Sequence, residues 1–152
     1  MKIPQERECL KILEEVKLPE HIVAHSKAVC RVALEVAENL ERRGVEVNKG
    51  IIIASALLHD VKKLEPYHEK AGARFLEERG LKEIAKVVRK HCLNIDVKPE
   101  TIEEKIVFYA DKRVNEDKIV SLEERFKYLK EKYGISDDFY HYTKKIEEEL
   151  IG

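Results

Sequence analysis

Ile51-Ile52-Ile53-Ala54-Ser55-Ala56-Leu57-Leu58-His59-Asp60 is a nearly unbroken apolar run that ends in an imidazole and a carboxylate. A segment apolar on every side is buried on every side. Burying even a neutral polar group at its end costs about 2 to 7 kcal/mol when nothing compensates it. The run therefore predicts a central helix over residues 51–60 whose terminal His59-Asp60 pair meets a partner, and a metal ion is the partner that suits both side chains.

Helical periodicity turns further ionisable residues inward. Between Pro19 and Arg43, Ile22, Val29, Val32, Val36 and Leu40 recur at three- and four-residue steps, and His25 falls on the same stripe. The stripe from Tyr67 to Arg79 is His68, Ala71 and Phe75, and from Leu81 to Cys92 it is Ile84, Val87, Val88 and His91. In the helix that starts near Pro99, Asp111 lies four residues after Val107 and three before Val114. A lone inward histidine is more often hydrogen-bonded core than ligand. Four of them with two acids on five successive helices would each need a separate buried partner, and one shared cationic centre meets that need at lower cost.

Punctuation along the chain predicts helices and no strands. Pro4 opens a first helix to about Val16, Leu18-Pro19 restarts a second, and Arg43-Gly44 with Asn48 separates it from the buried third. Pro66 precedes the fourth, Gly80 separates it from the fifth, and Asn94 to Pro99 is a loop. Thr101 with Glu104 caps the sixth helix, Ser121-Leu-Glu-Glu starts another, and Ser136-Asp-Asp-Phe starts the last. Cys30 and Cys92 fall within amphipathic helices and read as small core residues.

In order along these helices, His25, His59-Asp60 and Asp111 resemble the H…HD…D signature of the HD-domain metal-dependent phosphohydrolases. His25-Ser-x-x-Val-x-x-Val-Ala, Ala-Leu-Leu-His-Asp, Lys63 three residues after Asp60, and His68-x-x-x-Gly72-Ala73 are similar to the subgroup with an HD-x-x-K motif. The resemblance covers about residues 20–115. It implies an all-α, compact multi-helix bundle with an HD core over about 19–115, and with the helices of 121–151 packed on it in a single domain, 1–152. It also implies a divalent, dinuclear centre: His25, His59, Asp60 and Asp111 hold one ion, while Asp60, His68 and His91 hold the second, with Asp60 as bridge. The chain departs from the pattern at Lys62, where the family often has Gly, and at Cys92, where a second His would follow His91. No Gly-Tyr-Pro follows, which disfavours the cyclic-dinucleotide branch. HD proteins of this length with the extra histidines resemble hydrolases of symmetrical dinucleoside polyphosphates.

Imidazole and carboxylate donors suit Fe, Mn, Co, Ni or Zn over Ca. Two such ions about 3.5 to 4 Å apart can clamp a phosphoryl group and activate water near neutral pH. The expected activity is a phosphohydrolase cleaving a phosphate ester or anhydride, of a nucleotide, by metal-activated hydroxide. Asp60 and Lys63 are the catalytic candidates, Lys63 as the cation on the substrate phosphate. Lys62, Lys90, Lys112 and Arg113 are weaker candidates that read as solvated flanks of their helices. His21, four residues before His25, and His141 lie outside the implied ligand set. Phe126, Tyr128, Tyr133, Phe139, Tyr140 and Tyr142 read as packing residues, with base stacking as the functional alternative. The competing readings are a di-iron oxygenase on the same scaffold and a non-catalytic helical binding module.

Bulk properties agree with a small enzyme. A chain of 152 residues suffices for a core without staples. Its net charge of −1 gives no support for an extended nucleic-acid surface, while a small anionic phosphate-containing substrate needs only a local cationic patch. Three cysteines without a Cys-x-x-Cys pair, and a charged start with no signal peptide, predict a reducing, cytoplasmic setting. No apolar run approaches the roughly 18 residues of a membrane span. Charged residues make up 39%, against about 25% in typical proteins, and resemble thermophile composition.

Overall fold

The computed structural model describes residues 2–94 and 96–152. In chain order the elements are α1 (Glu6–Glu15), α2 (Glu20–Arg42), α3 (Lys49–Leu58), α4 (His68–Glu78), α5 (Lys82–Arg89) and α6 (Ile102–Asp111). There follow β1 (Val114–Asn115), β2 (Lys118–Ile119), α7 (Leu122–Tyr133) and α8 (Asp137–Ile151). The fold is all-α, with a two-residue antiparallel ribbon as its only sheet among the described residues.

α3 is the axis of the packing, in contact with α1, α2, α5 and α6. Ile52, Ala54, Ala56, Leu57 and Leu58 are buried, as an all-apolar run must be. Its start is set by Asn48, whose side chain accepts from the Ile51 amide at 3.1 Å. The α2 stripe of Ile22, Val29, Val32, Val36 and Leu40 is buried as its spacing predicts. Thr101 and Glu104 form the expected capping box on α6, and Ser121 and Ser136 cap α7 and α8. α8 closes one side of the bundle against α2 and α6, where the buried Tyr109 hydroxyl donates to Glu147 at 2.6 Å. Core residues from Cys9 to Leu150 belong to one apolar cluster. No helix among the described residues is long and apolar enough to cross a membrane.

Five expectations need correction. The central helix ends at Leu58, so His59 and Asp60 follow it in a run of tight turns, and α5 ends at Arg89, leaving His91 and Cys92 beyond it. Val114 lies in β1 rather than in the sixth helix, and the ribbon contradicts the strand-free reading. Strands two residues long, joined by Glu116-Asp117 instead of an Asn-Gly turn, carry almost no strand signal. On α4 the fully buried residues are Gly72, Ala73 and Leu76, with His68, Ala71 and Phe75 half-buried beside them.

Gly72 lets α4 approach its neighbours closely. A Cβ there would lie 3.3 Å from Val88 Cγ1 and 3.5 Å from Val61 Cγ1. Gly72→Ala should therefore be tolerated, its tight contact offset by the roughly 1 kcal/mol helix preference of Ala over Gly. Gly72→Val should cost about 1–3 kcal/mol through overpacking and displace the helix that carries His68. Paired thermal melts check this; equal stability of the two variants would refute the close-packing account.

Candidate metal centre

Helix ends deliver most of the donors. His59 and Asp60 directly follow α3, His91 and Cys92 follow the α5 cap, Asp111 closes α6, and His68 opens α4, while His25 comes from the second turn of α2. Carbonyls in the last turn of a helix lack full intrahelical partners. The Ala56 carbonyl accepts from His59 Nδ1 at 2.7 Å, and the Val88 carbonyl from His91 Nδ1 at 2.6 Å. His25 Nδ1 donates in the same way to the Glu116 carbonyl at 2.6 Å. A carbonyl has no proton to give, so in all three rings the hydrogen sits on Nδ1 and Nε2 is the inward-facing donor atom. Glu116 occupies the ribbon turn at φ 58°, a left-handed conformation that costs a residue with a side chain of order 1–3 kcal/mol. The ribbon thus holds a strained carbonyl against a site histidine.

Asp60 divides the set in two. Its Oδ2 lies 3.6 Å from His25 Nε2 and 3.2 Å from His59 Nε2, and its Oδ1 lies 3.5 Å from His68 Nε2 and 3.3 Å from His91 Nε2. Asp111 Oδ1 joins the first group, 3.0 Å from His25 Nε2 and 3.3 Å from His59 Nε2. An ion about 2.0–2.2 Å from each nitrogen or oxygen donor would space neighbouring donors about 3–3.5 Å apart, which these separations match. With Nδ1 committed to a carbonyl, a neutral imidazole turns a lone pair toward a carboxylate, and that arrangement is repulsive until a proton or a metal comes between them. His59 Nε2 is fully buried without a hydrogen-bond partner. The donor atoms of His25, His59 and Asp60, and separately those of His68, His91 and Cys92, lie close enough to hold an ion.

The same geometry governs the titrations. Burial alone would pull His59 down, but the Asp60 and Asp111 carboxylates outweigh it and hold the ring up at about 9. His91 is likewise held well above its ordinary value against its burial by the Cys92 sulfur and Asp60. Burial would push both carboxyls up, yet His59 and His91 hold Asp60 well below the usual range, and Lys112, His25 and His59 do the same for Asp111. Cys92 is brought down to about 6, its burial overcome by His91, His68 and Lys112.

Two neighbours correct the sequence reading. Lys112 is not a solvated flank: it is buried, with Nζ 2.7 Å from Asp111 Oδ2, 2.9 Å from the His91 carbonyl and 4.7 Å from the Phe108 ring centroid. It locks the second oxygen of Asp111 and ties the α6 end to the α5 end. Cys92 is not a core residue of a helix; it is half-buried, with Sγ 3.5 Å from His68 Nε2, 3.4 Å from His91 Nε2 and 3.7 Å from Glu69 Oε2. No periodicity could reveal Cys92, because it lies past the helix end. Glu69, beside His68, carried no signal of its own.

His25, Asp60, His68, His91 and Asp111 line a cleft of about 990 Å³, with His59 in the wall behind them. Lys63 is exposed and lines this cleft, as do Tyr128, Lys132 and Tyr133 of α7. The remaining cations are committed elsewhere: Lys62 to Glu65, Lys90 to Glu100 and Glu104, and Arg113 to the Tyr109 hydroxyl and the Val120 carbonyl. His21 is exposed on the cleft rim, and His141 is exposed on α8. Phe126 is buried, and Phe139, Tyr140 and Tyr142 pack against the core as read from sequence.

Because the His59 pKa is raised to about 9, its ring carries a proton at pH 7 in the metal-free protein, and an incoming ion must displace it. Adding Zn²⁺ in weakly buffered solution at pH 7 should release protons, with the release diminishing as the starting pH passes about 9 and apparent affinity rising over the same interval. A pH-stat titration measures it. Uptake of metal with no proton release would show that the imidazoles are already neutral.

A family profile described as HD domain matches residues 22–116. A protein of Picrophilus torridus named tRNA (cytidine(56)-2'-O)-methyltransferase is 33% identical over 97% of this chain and 47% of its own length. A protein of the same name from Thermoplasma volcanium is 29% identical over 80% of this chain and 40% of its own. A dihydroneopterin 2',3'-cyclic phosphate phosphodiesterase of Methanocaldococcus jannaschii is 34% identical over 59% of this chain and 44% of its own. The chain thus spans less than half the length of these curated relatives. No solved structure gives a significant match. The matched profile covers the helices that carry all six His and Asp donors, and the chain belongs to the HD-domain family.

Proposed function

We propose that this chain is a metal-dependent phosphohydrolase that cleaves a phosphate ester or anhydride of a nucleotide-like substrate. The observation that carries the reading is Asp60: a buried carboxylate whose two oxygens each face two imidazole nitrogens at the floor of an open cleft. His25, His59, Asp60 and Asp111 would hold one ion, and Asp60, His68 and His91 a second, drawn from Fe, Mn, Co, Ni or Zn. Such ions supply Lewis acidity and lower the pKa of bound water toward about 7.

The protein's own groups do the rest. The carbonyls on His25, His59 and His91 keep each ring in one tautomer and orientation, so no reorganisation is needed when charge develops. Lys63, exposed and lining the cleft, would bind a substrate phosphate oxygen. Tyr128 and Tyr133 line the same cleft, and Lys132 Nζ, which donates to the Tyr128 hydroxyl at 3.0 Å, sits over both rings, 5.4 and 5.3 Å from their centroids. That pairing of cation and aromatic suits a phosphate attached to a ring system.

The name of the cyclic phosphate phosphodiesterase relative supports a phosphodiester bond as the target. All three relatives extend well beyond the region this chain matches, so none of their names decides what the shared region does; the methyltransferase names make an RNA-derived substrate worth including. We further infer that residues 1–152 form one domain, because the α8 residues Ile146 and Leu150 belong to the same apolar cluster as the HD helices.

Phosphate release from p-nitrophenyl phosphate, 2',3'-cyclic nucleotides, mononucleotides and dinucleoside polyphosphates, measured with each candidate ion, tests the reading. Turnover of at least one is expected. His59→Ala and Asp60→Ala should abolish it, while Lys63→Ala should keep its metal and lose about 10²- to 10³-fold in rate. Equal metal loss in all three variants would remove Lys63 from its role. No release with any ion, together with oxygen consumption by an iron-loaded sample, would overturn the hydrolase reading in favour of an oxygenase.

A further inference from the structure

We propose that Cys92 is a direct ligand of the second metal position, so that His68, His91 and Cys92 present a face with one sulfur and two nitrogens to an ion that Asp60 shares. The inference rests on the reading of this centre as a metal site and puts a sulfur donor at the position where the resembled pattern has a second His.

Four observations carry it. Cys92 Sγ lies 3.5 Å from His68 Nε2 and 3.4 Å from His91 Nε2, and the three donor atoms form one compact group. An ion with sulfur at about 2.3 Å and nitrogen at about 2.0–2.1 Å in tetrahedral array sets sulfur and nitrogen about 3.5 Å apart. His91 Nδ1 is held by the Val88 carbonyl, so the nitrogen near the sulfur is the ring's free donor atom. The two nitrogens also lie near Asp60 Oδ1, at 3.5 Å from His68 Nε2 and 3.3 Å from His91 Nε2, so the sulfur joins nitrogens already gathered around a carboxylate. Cys92 is also placed for this alone: it lies past the end of α5 and lines the cleft, whereas Cys9 and Cys30 are buried in the apolar core.

Coordination would form the sulfur–metal bond from the thiolate, any proton still on sulfur passing to solvent. Glu69 Oε2, 3.7 Å from Sγ, is an acceptor on that route. The consequence is selectivity. A set of imidazoles and carboxylates accepts Mn²⁺ readily, whereas a thiolate favours softer ions such as Zn²⁺ or Co²⁺. The two positions would then differ in preference, the one at His25, His59 and Asp111 being the harder.

The test is spectroscopic. Full-length protein stripped with chelator and reloaded with Co²⁺ should show a near-ultraviolet thiolate-to-cobalt absorption. That band should vanish in Cys92→Ser and Cys92→Ala and persist in Cys30→Ser, with circular dichroism confirming that each variant is folded. Cys92→Ser should also lower Zn²⁺ affinity at the second position by more than the about 10- to 100-fold that outer-shell changes cost, with Mn²⁺ affinity little changed. Bound Zn²⁺ should slow modification of Cys92 by an aromatic disulfide, and chelator should restore it. Cobalt binding without a sulfur band, or unchanged Zn²⁺ affinity in Cys92→Ser, overturns the proposal while leaving hydrolysis intact; failure to bind any ion overturns both. A sulfur band in a protein inert toward every phosphate ester would uphold the ligand and refute the function.

Discussion

One buried carboxylate organises the molecule. Asp60 sits at the end of the most apolar helix with four imidazole nitrogens within 3.6 Å of its two oxygens, and no arrangement of neutral rings satisfies them all. The carbonyls that fix Nδ1 of His25, His59 and His91 remove the option of turning an N–H toward the carboxylate. Positive charge must come either from protons, which is what the raised His59 and His91 values express, or from metal. The fold thus binds a cation of some kind as a condition of burying this group.

Helix termini are the means by which such a centre is assembled. The C-terminal ends of α3, α5 and α6 meet there, and each brings a carbonyl-rich, partially negative end of the helix dipole. A cation placed among three such ends is favoured before any side chain is counted. Placing donors just beyond a helix also frees them from the 3.6-residue repeat, so His59 and Asp60, adjacent in sequence, both reach the same point. The apolar body of α3 supplies the rigidity, because its side chains are locked between four other helices.

This arrangement explains what the sequence discloses and what it hides. Residues that replace an apolar position on a stripe, such as His25 among Ile22, Val29 and Val32, can be read from spacing alone, and the structure brings all six inferred donors together. Helix lengths were overestimated at both donor pairs because the inward periodicity continues through turns that are no longer helical. Lys112 and Cys92 elude the periodicity for a related reason: each follows a candidate donor at a helix end, where the chain changes direction and the face of a residue is no longer set by its position. The ribbon left no trace because its role is carried by one backbone carbonyl, that of Glu116, and carbonyls have no letter in a sequence.

The charge balance links these late-appearing residues to function. Asp60 and Asp111 are both held ionised, and Lys112 is the one buried ammonium found against them among the described residues, spent on the outer oxygen of Asp111 and on a backbone carbonyl. That leaves the inner oxygens, the ones facing the cleft, short of fixed positive charge, balanced only by what is exchangeable, protons on the imidazoles or a metal. A site meant only to be stable would neutralise them with a second lysine or arginine, as Lys90 neutralises the buried Glu104 nearby. Here the deficit is kept, surrounded by neutral-capable imidazoles, and opens onto a cleft with an exposed lysine at its mouth. A deficit of that form suits exchangeable divalent ions, and any excess charge they brought would face the cleft, where an anionic substrate would arrive.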